Sequence, residues 1–170
     1  MAMGQRSNGE LLLQGVAGGI VAGIVFAMAE MVMAILLGGS FWAPLQMIGA
    51  IVLGPAVLPP AVPTAFVVIV GLIFHLIMSA LFGVIFVYLL AFTRELTAST
   101  GLLLLYGSLF GLALWIVNFL IISQYIAFPW FFRGADQFWM GFVAHTFFFG
   151  AVLGGYVATV LRGRAATVAR

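Results

Sequence analysis

Four stretches of the chain, at about 11–37, 64–91, 101–123 and 137–161, are almost wholly apolar, and Glu30 is the one Asp, Glu, Lys or Arg inside them. Crossing the hydrocarbon of a bilayer as a helix takes about 20 such residues. Every backbone N–H and C=O in lipid has to be paired internally, and runs this long without period-two alternation are helices and not barrel strands. The composition agrees: 65% of residues are apolar and 6% charged, with no lysine, where a soluble domain carries about 25% charged residues. The expected fold is all-α: a transmembrane four-helix bundle with up-down-up-down topology, forming one transmembrane domain over 1–170. The first apolar run is too long, and followed by no small-residue cleavage site, to read as a cleavable signal peptide.

Turn chemistry separates the spans: Gly38-Gly39-Ser40, Thr93-Arg94-Glu95, and the segment from Phe128-Pro129 to Asp136. The connection from Phe41 to Pro63 carries no charge and stays apolar. Pro44 is placed to open a helix there and Gly54-Pro55 to close it. At about 15 Å such a helix is too short to span, so it reads as a re-entrant or interfacial segment. It is either an apolar loop lying on the bundle, or a lid or docking surface.

Arg6, Arg94, Arg162, Arg164 and Arg170 fall on one side of the spans, and Arg133, balanced by Asp136, falls on the other. The positive-inside rule then puts both termini in the cytoplasm of a bacterial inner membrane. Trp42, Trp130 and Trp139 form the outer aromatic belt. The net charge of +2 is an orientation signal, not a nucleic-acid patch. The chain has no cysteine, which excludes disulfides, iron–sulfur clusters and thiolate chemistry.

The sequence also repeats itself. Gly19-x3-Gly23-x6-Glu30 is echoed by Gly107-x3-Gly111-x6-Asn118, and Gly71-x3-His75 by Gly141-x3-His145. Two pseudo-repeated helical hairpins follow from this. Gly15, Gly19, Gly23 and Ala27 share one helical face, as do Gly71, His75, Ser79 and Gly83. Small residues at this spacing let helices approach closely in lipid. At α-helical spacing Gly150 and Gly154 fall off the His145 face, which reads as a surface for another membrane subunit or a second copy.

Glu30, His75, Asn118 and His145 lie at similar depths, counted along each span, in its outer half. A charge at mid-membrane costs at least ~2.5–3.5 kcal/mol, so Glu30 has to be neutral, paired or facing water. Three uses of the cluster compete. Glu30, Asn118, Ser79, Thr146 and the histidines can form a structural polar network. His75 and His145, on diagonal helices, can ligate a b-type haem, with Gly71 and Gly141 making room for the ring and Arg133 meeting a propionate. Glu30, His75 and His145 can hold a metal ion or relay protons. Phosphate-binding loops, nucleophile–base sets and paired carboxylates are absent, so nothing points to a hydrolase or transferase.

The stretches GSFWAPLQMIGAIVLG and YGSLFGLALWIVNF, with the histidine-bearing FHLIMSALFG and AHTFFFG, resemble an uncharacterised family of small bacterial four-span integral membrane proteins. That resemblance implies the fold and no chemistry. The functional expectation is a subunit of a membrane assembly that carries haem b between spans two and four for electron transfer. The alternatives are a purely structural accessory subunit and a small proton- or metal-handling transporter using the same Glu/His/His/Asn cluster.

Overall fold

A computed structural model describes residues 7–58, 64–93, 98–126, 128 and 134–161. Among them there are helices and no strands. Helix α1 covers Asn8–Leu36, α2 Ala43–Leu53, α3 Ala65–Phe92 and α4 Thr100–Trp115. A single 3-10 turn, Pro55–Val57, follows α2. Beyond α4 the helix continues over Ile116–Ile126 in the wider π form. The last span alternates between the two forms: α5 over Ala135–Val143, π over Ala144–Ala151, α6 over Val152–Tyr156 and π over Val157–Leu161. Four helices are long and apolar enough to cross a membrane: Asn8–Leu36, Ala65–Phe92, Thr100–Tyr125 and Gln137–Val160. Each lies within a few residues of the stretch read from the sequence, and the chain is a multi-pass membrane protein. All six arginines, with Trp130, lie outside the described residues.

The helix starts are written locally. The hydroxyl of Ser7 accepts from the Glu10 amide at 3.2 Å. Thr64 accepts from Val67 at 3.3 Å, and Ser99 from Leu102 at 3.3 Å. Each hydroxyl satisfies one of the amides that a helix N-terminus leaves unpaired. Helix α2 is the short helix expected in the first connection: Pro44 sits in its first turn and Gly54, at φ 89°, ends it. That left-handed backbone is open to glycine without strain.

Glycines set how closely the spans approach. A Cβ on Gly19 would strike the Ser79 carbonyl, and one on Gly83 the Gly15 carbonyl, so α1 and α3 touch backbone to backbone. The other pair does the same: Gly107 faces the Gly150 carbonyl, Gly111 the His145 carbonyl and Gly154 the Leu103 carbonyl. Gly150 and Gly154 are therefore filled by α4, and no second glycine face is left over on the last span. The physical reason is the π segment. A π turn closes its hydrogen bond at i→i+5, so the five-residue step from His145 to Gly150 lands where the four-residue step from His75 to Ser79 lands in α3. The sequence expectation assumed 3.6 residues per turn throughout.

Helix α2 lies across the start of α3, where Gly71 faces the Leu45 carbonyl and Gly49 sits 2.6 Å, measured from an added Cβ, from the Val67 carbonyl. Side chains of the opposite α3 face, including Ile69, Ile73, Ile77, Leu81 and Ile85, are exposed and suit contact with lipid. The spans meet in one apolar cluster that includes Leu11, Phe86, Val87, Leu90, Leu103, Leu153 and Val157. Two polar side chains join the first and last spans beside it, the half-buried Tyr156 hydroxyl donating to the buried Gln14 Oε1 at 2.7 Å.

Candidate functional site: a polar-edged cavity between the spans

The second and third spans make almost no close backbone approach of their own, and Phe86 meets Phe110 across them at 5.2 Å between ring centroids. Further toward the α2 end, the space that they leave becomes a cavity of about 280 Å³. Every span contributes to its wall. Helix α1 supplies Phe26 and Glu30, and α3 supplies Phe74, His75, Met78, Ser79 and Phe82. The third span supplies Leu114, Asn118, Phe119, Ile122 and Ser123, and the last span Gln137, Met140, His145 and Phe149. Pro44, Met47, Ile48 and Ile51 of α2 close one side. The wall is mainly aromatic rings, thioethers and aliphatic groups, with a few polar side chains converging on it.

Glu30, His75, Asn118, Ser79 and His145, all singled out in the sequence, line this one cavity. Thr146 does not; its hydroxyl is buried without a hydrogen-bond partner. Arg133 lies outside the described residues. Ser123 and Gln137 were missed. Ser123 stands five residues after Asn118, and the π turn puts both on the cavity wall. Gln137 did have a signal, because Gln137, Gly141 and His145 are spaced by four.

Glu30, His75, Asn118 and His145 make no hydrogen bond to one another. His75 Nε2 bonds to the Gly23 carbonyl of α1 at 2.8 Å. His145 Nδ1 bonds to the Gly141 carbonyl of its own helix at 2.8 Å. Each bond needs only a neutral imidazole N–H donor. The Phe26 ring lies against both imidazoles, stacked on His75 at 5.1 Å and edge-on to His145 at 4.7 Å. Phe119 approaches His145 from another side at 5.2 Å. Ser123 donates to the Phe119 carbonyl at 2.6 Å.

Glu30 is different. Its side chain is 6% exposed and its carboxyl has no hydrogen-bond or ion-pair partner among the described residues. A buried carboxyl without a partner is costly to keep and calls for something that the protein itself does not supply.

These positions bear on the haem expectation. Two axial imidazoles have to aim a nitrogen at one point across a clear plane. Here Phe26 contacts both rings, and His75 Nε2 is committed to Gly23. Gly71 and Gly141, expected to make room for a ring, are taken up by the Leu45 carbonyl of α2 and by the rings of Phe119 and Trp115. The residues as arranged do not fit a bis-histidine haem. Among the described residues no three His, Asp or Glu side chains gather as a metal-ligand set.

Comparison with protein-family models, with curated proteins and with solved structures finds no match for the chain.

Proposed function

We propose that this protein binds a small, largely apolar molecule within the membrane, holding its polar end at Glu30, as a binding protein or carrier. The observation that carries the reading is the unpartnered Glu30 carboxyl in a cavity walled by rings and methionines. An apolar pocket with a few convergent polar groups is the usual form of a small-molecule site, and an ionisable residue within a span is a functional group by default. Size narrows the ligand. An engineered apolar cavity of ~150 Å³ takes up benzene, so about 280 Å³ suits a bicyclic ring or a body of that bulk. In this reading His75 ties α3 to α1 and His145 braces its own helix, and both are structural.

The same proposal includes an architecture: two repeated hairpins in up-down-up-down order, with both termini cytoplasmic in a bacterial inner membrane. The matched contacts of Gly19 with Ser79 and of Gly107 with Gly150 support the repeat, and the placement of the arginines supports the orientation. A role as a subunit of a larger assembly rested in part on a free glycine face, and α4 occupies that face.

The test is thermal unfolding in lipid nanodiscs with naphthalene and indole. Wild-type protein is expected to be stabilised, and Met78→Trp, which fills the cavity, is not. Equal shifts in the two proteins would place the probes elsewhere and remove the cavity as the site.

A further inference from the structure

We propose that the ligand is a small organic cation, with its positive charge on Glu30 and its apolar body among the rings, reaching the site from the α2 end of the spans. This deepens the reading above and rests on it.

Among the described residues Glu30 is the one carboxyl in the cavity wall, and none of those that line it is a lysine or arginine. The chain has no lysine anywhere. The two histidines, the remaining titratable groups facing the cavity from α3 and the last span, already bond to the Gly23 and Gly141 carbonyls. The described residues thus provide a carboxylate site and no counter-ion for it. A ligand that brings one positive charge offsets the cost of an ionised carboxylate in lipid by direct attraction, a contribution that an uncharged ligand of the same shape lacks. Aromatic faces stabilise a cation directly through the negative face of the ring, the more so where water is excluded. Phe74, Phe119 and Phe149 stand in the same wall.

A second hollow of about 220 Å³ lies beside the first. The two share Pro44, Met47, Gln137 and Met140 as lining. Along α1, Phe26 and Glu30 face the inner cavity, and Ala34 and Leu37 face the outer hollow. These four step by four, four and three residues, so they form one stripe on one helix face. Glu30 is six residues from the end of α1, about 9 Å along the axis. A ligand arriving from the water at that end therefore meets the flexible thioethers of Met47 and Met140 before the carboxyl.

The experiment compares benzyltrimethylammonium with neopentylbenzene, the uncharged molecule of the same shape, by calorimetric titration into protein in nanodiscs. The cation is expected to bind wild type tighter than the isostere by roughly tenfold or more. Glu30→Gln should remove that preference and leave the isostere's affinity in place. The wild-type comparison stands even where the variant yields little protein. Equal affinities for the two probes in wild type would overturn the cation assignment and leave the cavity reading intact. Binding of neither probe would overturn both. Cation binding that survives Glu30→Gln unchanged would move the charge site away from Glu30.

Discussion

Glu30 and His75 sit in the same cavity, and the structure gives them opposite kinds of importance. Glu30 makes no internal bond that its loss would break, so Glu30→Gln should fold and melt within about 0.5 kcal/mol of wild type, the range of a substitution that disturbs no feature of the fold. His75 joins two helices through Gly23 and stacks on Phe26. His75→Ala removes that interhelical bond and the packed ring, and should cost about 1–3 kcal/mol. Chemical unfolding in mixed micelles checks the pair: a Glu30→Gln loss as large as that of His75→Ala would show that Glu30 has a partner after all. The polar members of the site were legible in the sequence because an ionisable or amide side chain stands out in an apolar run, and counting along each span put them at one depth. Phe26 was not legible. It is one of 17 phenylalanines, and only the packed structure shows that its ring lies against both imidazoles, which is why the haem expectation could be formed at all.

At the scale of the element, span limits and the short helix α2 could be read from charge, proline and glycine. The π segments could not, because Ala-His-Thr-Phe-Phe-Phe-Gly carries no residue that marks a change of turn. Their effect is testable. Deleting the lipid-exposed Phe148 shortens the interval from His145 to Gly150 to four residues, lets the π turn relax to α, and should keep Gly150 and Gly154 on α4. Deleting the still more exposed Ile77 turns the rest of α3 by about 100°, removes Gly83 from α1 and should abolish folding. Monodispersity by size-exclusion chromatography separates the outcomes, and failure of both deletions alike would contradict the π account. Glycine packing gives a second contrast. Gly111→Ala drives a Cβ into the His145 carbonyl, whereas Gly155→Ala meets Leu104 Cδ2 at an ordinary 3.6 Å. The first should destabilise by about 1–3 kcal/mol, and the second should be neutral or slightly stabilising by helix propensity, as read from unfolding midpoints.

Across the whole molecule, tight contact of α1 with α3 and of α4 with the last span, and loose contact between the second and third spans, are two sides of one arrangement. Glycines draw α1 onto α3 and α4 onto the last span, α1 also rests on the last span, and the remaining gap becomes the cavity that holds Glu30. The account stands on that carboxyl being unpartnered and reachable inside the membrane. The most direct measurement treats the protein in lipid vesicles with a lipophilic carbodiimide, which reacts with protonated carboxyls in apolar surroundings, and locates the adduct by tandem mass spectrometry. The account predicts an adduct on Glu30 that benzyltrimethylammonium suppresses. An unmodified Glu30, under conditions that label an Ile77→Glu variant at its lipid-facing carboxyl, would contradict it.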